Sequence, residues 1–222
     1  MSSNIKAVIF DKDGTLLDTE RLYHTAWKLA AKELGVPDIE TTSRDCTGCA
    51  WPTIEIYWNK KYIDTGLSSV TCQVFRDTRQ KYFDKMIEEE GIPLKKDTFM
   101  ILDYLKERGY KLGLATSATQ EEADTQLDAT GIRKYFDTVV TSAMVTKGKP
   151  DPEIYLLAAK NLGIEPENCI GVEDAFNGVR SIHAAGMKPI MIPDVLQPTE
   201  EIRSLLWAEC ETLADMIPLL EM

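Results

Sequence analysis

The chain has 222 residues, 44% of them hydrophobic, enough for one large domain or one domain with a small insert. Its 36 acids outweigh 25 bases for a formal net charge of -11, a surface that repels nucleic acid and anionic membrane and argues against both as partners. No apolar run is long enough to span a bilayer, and residues 1–4 lack the basic-then-apolar start of a secretory signal, so the expectation is a soluble, cytoplasmic protein.

The cysteines, Cys46, Cys49, Cys72, Cys169 and Cys210, are odd in number and scattered, which reads as reduced thiols. Cys46 and Cys49 have the spacing of a redox or zinc pair. No second Cys pair or His pair accompanies them, and they read as ordinary cysteines of a helical segment.

Residues 5–10 form an unbroken apolar run, which predicts a strand buried on both faces. It runs into Asp11-Lys12-Asp13-Gly14-Thr15. Residues two apart in extended backbone share a side, so Asp11 and Asp13 leave the strand tip together, with Lys12 opposite. Gly14 permits a sharp turn that exposes backbone groups to a ligand. Two carboxylates this close repel and call for a cation, a shared proton or both. The same residues also fit a polar turn with solvated acids, so the rest of the chain has to decide.

From Leu22 to Leu34 the apolar spacing is helical, stopped by Gly35 and Pro37. Residues 43–91 keep a helical, notably polar pattern, with Trp51, Ile54, Tyr57 and Trp58 on one piece and Val74, Phe75, Tyr82, Phe83 and Met86 on a longer one. With no strand signal between Leu16 and Lys111, residues 18–91 read as a small helical domain inserted into a domain built from residues 1–17 and 92–222.

An alternation follows: helix 98–108, strand 111–116, helix 117–130, strand 138–141 and helix 151–162, with Asp151 as its cap and Pro152 at its first position. Strand 169–172, helix 176–185, strand 189–192 and a terminal helix over 213–219 complete it. This predicts an α/β fold, a doubly wound, Rossmann-like parallel sheet with helices on both faces and the small α-helical insert. In such sheets the ligand sits beyond the carboxyl ends of the strands.

Those ends carry Asp11 and Asp13, then Thr116 and Ser117, then Lys149 in the segment after the third strand, then Glu173 and Asp174. Carboxylate oxygens suit a divalent metal; an ammonium and a hydroxyl suit phosphate oxygens. Four acids and Lys149 leave a charge of -3, which one divalent cation brings to -1 and a proton on Asp13 to zero. The pocket is therefore expected to need a metal before it admits a phosphate dianion, and to favour Asp13 protonated with substrate bound. Singly, Thr116 fits a strand-end hydroxyl, Lys149 a solvated lysine, and Glu173-Asp174 a helix start; their order and placement favour one site. No nucleotide-binding glycine loop is found.

These motifs resemble those of the haloacid dehalogenase superfamily, in the phosphatase and phosphomutase branch that includes beta-phosphoglucomutase and sugar phosphatases. Residues 11–15 are similar to its Asp-x-Asp-Gly-Thr signature. Thr116 is similar to its hydroxyl residue, Lys149 in Gly148-Lys149-Pro150-Asp151-Pro152 to its lysine motif, and Glu173-Asp174 to its acidic motif. The helical insert is like the family's small cap, entered through a hinge like Leu17-Asp18-Thr19-Glu20.

The resemblance implies a two-step reaction on a small phosphorylated metabolite. Asp11 attacks phosphorus in line and becomes a phosphoaspartate; Asp13 protonates the leaving alkoxide, then deprotonates the attacking water. It implies magnesium held by Asp11, the backbone carbonyl of Asp13 and Asp174, with Glu173 acting directly or through a water. Thr116, Ser117, Lys149 and backbone amides near Lys12 and Asp13 would surround the phosphoryl oxygens.

Two departures count against the mutase of this branch. Tyr23, beside His24, stands where the mutase has a cap histidine, and residues 47–52 lack the arginine that follows a glycine there. A phosphatase is therefore expected, with a sugar phosphate as the foremost substrate class and a phosphosugar mutase as the alternative. A phosphoacceptor signalling module needs neither the second aspartate nor the insert, and a dehalogenase lacks an acid such as Asp13. Trp51 reads equally as a stacking platform or a core aromatic. Residues 94–97 lack the Pro-Gly pair usual at the cap-to-core junction. A monomer or weak homo-oligomer is expected.

Overall fold

The computed structural model describes residues 5–49 and 51–221; residues 1–4, with their signal-free reading, and Ala50, in the loop at 47–52, lie outside the described residues, as does Met222. Among the described residues six strands form one sheet: β1 (Ala7–Phe10), β2 (Lys111–Thr116), β3 (Thr138–Thr141), β4 (Cys169–Glu173), β5 (Lys188–Met191) and β6 (Ala208–Glu209). All pairs are parallel, in the order β3-β2-β1-β4-β5-β6.

The apolar run of β1 is apolar throughout because both faces are covered. Val8 and Phe10 join Leu112, Leu114, Ile170 and Val172 beneath α5 (Thr98–Glu107) and α10 (Met216–Leu220). Ala7 and Ile9 face the other way, onto Tyr155 and Ala158 of α7 (Glu153–Leu162) and Ile182 of α8 (Phe176–Ala184). Each such side chain, fully buried, contributes about 1.5–3 kcal/mol of transfer free energy. The chain leaves β1 to build β2 and β3 on one side and β4 to β6 on the other. A crevice therefore opens beyond the carboxyl end of β1, between β2 and β4.

Between β1 and β2 lie α1 (Glu20–Leu34), α2 (Ile39–Asp45), α3 (Trp51–Trp58) with a π turn at Asn59–Ile63, and α4 (Cys72–Glu90). They enclose an apolar cluster of their own around Trp27, Trp58, Tyr62 and Phe75. Trp58 lies 4.3 Å from Phe75 and 4.4 Å from Tyr62 between ring centroids, and its indole N–H donates to the Val70 carbonyl at 2.8 Å. The two connections to the sheet run side by side. The Asp18 N–H donates to Pro93 and the Lys95 N–H to Leu16, both at 2.9 Å. The Lys95 ammonium joins Asp18 at 3.3 Å and Asp194 at 2.7 Å. Where the Pro-Gly pair is missing, Asp97 takes a left-handed φ of 69°, which a short polar side chain tolerates, and starts α5.

Several boundaries differ from the sequence reading. Glu20, not Leu22, begins α1. The helix expected from residue 117 is α6 (Gln120–Ala129), because Thr119 and Glu122 form a capping box and leave Ser117 in the preceding turn. α7 starts at Glu153, with the Asp151 carboxylate accepting the Glu153 N–H at 3.1 Å. β6 and α9 (Glu200–Leu205) are too short to show a periodicity and were not foreseen. No helix among the described residues is long and apolar enough to cross a membrane.

Candidate active site

Asp11 is the first residue after β1, and its N–H still continues the sheet by donating to Val172 at 2.9 Å. Its carboxylate meets the Lys149 ammonium at 2.5 Å. Lys149 reaches in from the segment before α7 and also donates to Glu173 at 2.7 Å and to the Ala115 carbonyl at 3.0 Å. Asp11, Asp13, Thr116, Ser117, Lys149, Glu173 and Asp174 all line one cavity of about 120 Å³ between the sheet and the helical insert. Every site residue read from the sequence is thus gathered in one place.

The supporting contacts explain why small residues recur here. Glu173 is saturated: one oxygen accepts from Lys149 and from the Tyr155 hydroxyl at 3.1 Å, the other from the backbone N–H groups of Asp174 and Ala175, both at 3.1 Å. This packing needs a glycine at 178, where a Cβ would sit 1.7 Å from a Glu173 oxygen. Gly14 has φ +81°, and a Cβ there would lie 2.3 Å from Asp174 Oδ2, so the turn after Asp13 is pressed against the acid of the fourth strand.

One oxygen from each of Asp11, Glu173 and Asp174 lies within 4.8 Å of the others, an arrangement that can hold a metal ion. The Asp13 carboxylate stands apart from this trio. It accepts from the Thr19 hydroxyl at 2.7 Å and from the Lys12 ammonium at 3.0 and 2.9 Å. Here the sequence reading is corrected. Lys12, expected on the side opposite the two acids, is fully buried and links Asp13 to Gln126 of α6.

Glu20 was also missed. It is 8% exposed and lines the cavity from the first turn of α1. The charge count of the sequence therefore lacked two acids that line the cavity, Glu20 and Glu122, and one base, Arg79.

Burial dominates the electrostatics. It pushes Asp11 up to about 7, helped by Glu173 and Asp13 and opposed by Lys149. Burial, then Asp13 and Asp11, push Glu20 up to about 8. Asp174 is held well above the carboxylate range by burial and by Glu173, Glu20 and Asp11. Burial would lower Lys149, but Asp11 and Glu173 outweigh it and raise it above an ordinary lysine. The crowding that raises Asp11 and Asp174 is what a divalent metal between them would relieve, so the donor set fits one.

The sign of the linkage follows. Between the unfolded values of 3.8 and 4.5 and the folded values of about 7 and 8 for Asp11 and Glu20, the folded state keeps protons the unfolded chain has released. The unfolding free energy contributed by these groups falls as pH rises through that window. The expected result is a melting temperature of chelator-treated protein that falls from about pH 5 to about pH 8, with the slope flattened by magnesium. A metal-free melting curve that rises across the window would contradict this.

The insert contributes the other wall. Tyr23 stacks on Phe83 at 4.3 Å; His24 is held by Ser43 and, at 3.4 Å, by Thr47. Trp51 is half-buried, parallel to Trp27 at 6.4 Å, and also lines the cavity. Cys46 and Cys49 are free thiols. Burial pushes Cys46 up to about 12, and Cys49 Sγ accepts from Asn177 of α8 at 3.3 Å, a direct contact between insert and sheet domain.

Comparison with known proteins places these features in a family. The chain is 34% identical over 187 residues, 84% of each chain, to a phosphorylated carbohydrates phosphatase of Thermotoga maritima. It is 32% identical over 189 residues, 82% of this chain and 81% of the other, to the beta-phosphoglucomutase of Bacillus subtilis. The crystal structure of CbbY from Rhodobacter sphaeroides in complex with phosphate superposes with a TM-score of 0.77 at 25% identity, covering 96% of both chains. The model of the haloacid dehalogenase-like hydrolases matches residues 5–186, which span β1, Thr116, Lys149 and the Glu173-Asp174 pair, and the chain belongs to that family of hydrolases.

Proposed function

We propose that this hydrolase is a magnesium-dependent phosphatase acting on a small phosphorylated metabolite of the sugar-phosphate class through a phosphoaspartate on Asp11. The observation that carries the reading is the convergence of Asp11, Asp13, Thr116, Lys149 and Asp174, from separate segments, on one cavity. The relatives named as a carbohydrate phosphatase and a phosphoglucomutase support the substrate class. Asp11 and Asp174 would hold the metal, with Glu173 beside them acting through a bound water, and the metal when bound would supply charge neutralisation for an incoming phosphate dianion.

The chain's own groups do the rest. Lys149 fixes Asp11 through one of its oxygens, and with Thr116 it stabilises charge on the phosphoryl oxygens. Asp13, steadied by Lys12 and Thr19, delivers a proton to the leaving oxygen and later takes one from water. Glu173 acts chiefly by positioning, since both of its oxygens are already engaged. Residues 18–91 act as a cap that closes over the leaving group and excludes water.

A phosphate-release screen over a metabolite panel tests this. Release is expected with magnesium and not with chelator, and Asp13→Ala is expected to lower it about 100- to 10,000-fold. Release that is indifferent to chelator, or absent throughout the panel, would overturn the reading. Conversion of glucose 1-phosphate to glucose 6-phosphate without free phosphate would replace it with a mutase.

A further inference from the structure

Arg79, on α4, is 3% exposed and lines the same cavity as Asp11 and Asp13. Its guanidinium lies 5.0 Å from the ring centroids of both Tyr23 and Trp51 and 5.9 Å from that of Phe83. Aromatic faces hold a cation but accept no ordinary hydrogen bond, and the Arg79 Nε and Nη1 atoms are buried without a protein partner among the described residues. Glu122 lines the cavity too and its field reaches Arg79. One of its oxygens, Oε2, accepts from the Thr119 N–H at 2.9 Å and the Thr119 hydroxyl at 2.8 Å, and the other makes no hydrogen bond to Arg79 Nε or Nη1.

A buried cation with donors left over is costly unless something supplies the acceptors. The cavity is where those acceptors would arrive. The sequence reading sought a cap cation in the loop at 47–52 and found none; the fold brings one in from α4 instead.

We propose that Arg79 receives a carboxylate on the far end of the substrate, so that the substrate is a phosphorylated hydroxy acid such as a sugar-acid phosphate. This rests on the hydrolase reading above and adds what the leaving group carries. A planar guanidinium matches a planar carboxylate with paired hydrogen bonds. Charge favours the carboxylate over a second phosphate: one unpartnered cation balances a monoanion, and the Glu20 and Glu122 carboxyl groups on the same wall disfavour a further dianion.

Matched substrates test it. With magnesium present, kcat and KM are measured for glucose 6-phosphate, 6-phosphogluconate and glucose 1,6-bisphosphate, and for glycerol 3-phosphate against 3-phosphoglycerate. The protein is expected to favour the acid over its neutral counterpart in at least one pair by about 10- to 100-fold in kcat/KM. Arg79→Met should lose at least about 10-fold more on the acid than on the neutral member, chiefly through KM, and Arg79→Lys should recover only part.

Because Met removes a buried charge and fills its space, the variant should melt no lower than the parent. If it does not fold, calorimetric titration of the Asp11→Asn protein with 6-phosphogluconate and with glucose 6-phosphate reads the same preference with Arg79 in place. Equal losses on both members, no preference in the parent, or a bisphosphate preferred to the acid would overturn the carboxylate site and leave the phosphatase standing. No phosphate release from any of the five compounds would overturn both.

Discussion

Asp11→Asn is expected to reduce phosphate release to background, a loss of about 10,000- to 1,000,000-fold, while leaving the protein folded. An amide has the carboxylate's shape but is not a competent nucleophile toward phosphorus. Its surroundings survive the change: Lys149 keeps Glu173 at 2.7 Å and the Ala115 carbonyl at 3.0 Å. The metal-free variant should also melt higher than the parent. Burial and the neighbouring acids push Asp11 up to about 7, and removing that carboxyl relieves the crowding around it. Steady-state phosphate release and thermal unfolding on the same preparation check both halves. Residual activity above about 1% of the parent's would sink the nucleophile assignment.

Lys149→Met is expected to damage stability and activity together. The ammonium is 6% exposed as a residue and touches Asp11 at 2.5 Å and Glu173 at 2.7 Å. Removing one partner of a buried ion pair leaves the other uncompensated and typically costs about 3–5 kcal/mol. Magnesium should return part of this by supplying positive charge to the same carboxylates. It should not restore turnover, because a donor to the phosphoryl oxygens is gone; that loss is about 100- to 1,000-fold in kcat. Arginine should not substitute, since the three acceptors are arranged around a compact ammonium and not along a planar fork. Denaturant unfolding with and without magnesium, run beside the kinetics, decides the matter. Near-parental stability without metal would mean that Lys149 is not the counter-ion of this cluster.

The parts of this molecule that were legible from residue order are those whose signal is local. β1 is an apolar run because both of its faces are covered, and Asp11, Thr116, Lys149 and Glu173-Asp174 follow strands or turns that announce themselves by composition. Strand ends converge in any parallel doubly wound sheet, so placing the motifs at strand ends was enough to assemble the site.

Residues that failed to show were helical ones in ordinary disguises. Glu20 was read only as the end of the hinge, and Tyr155 and Arg79 lie in predicted helices whose periodicity does not single them out. Lys12 was placed opposite the acids because alternation in a strand predicts side, not the path of a four-carbon chain that turns back to Asp13 and Gln126. The order of residues alone determined strands β1 to β5, the helical insert and the acids that line the cavity, because periodicity and motif spacing are properties of neighbours in the chain. Which buried helix residues face those acids, and with what charge left unpaired, was decided only by how the insert packs against the sheet, since no short-range pattern encodes a meeting of α1 and α4 with the ends of β1 and β4.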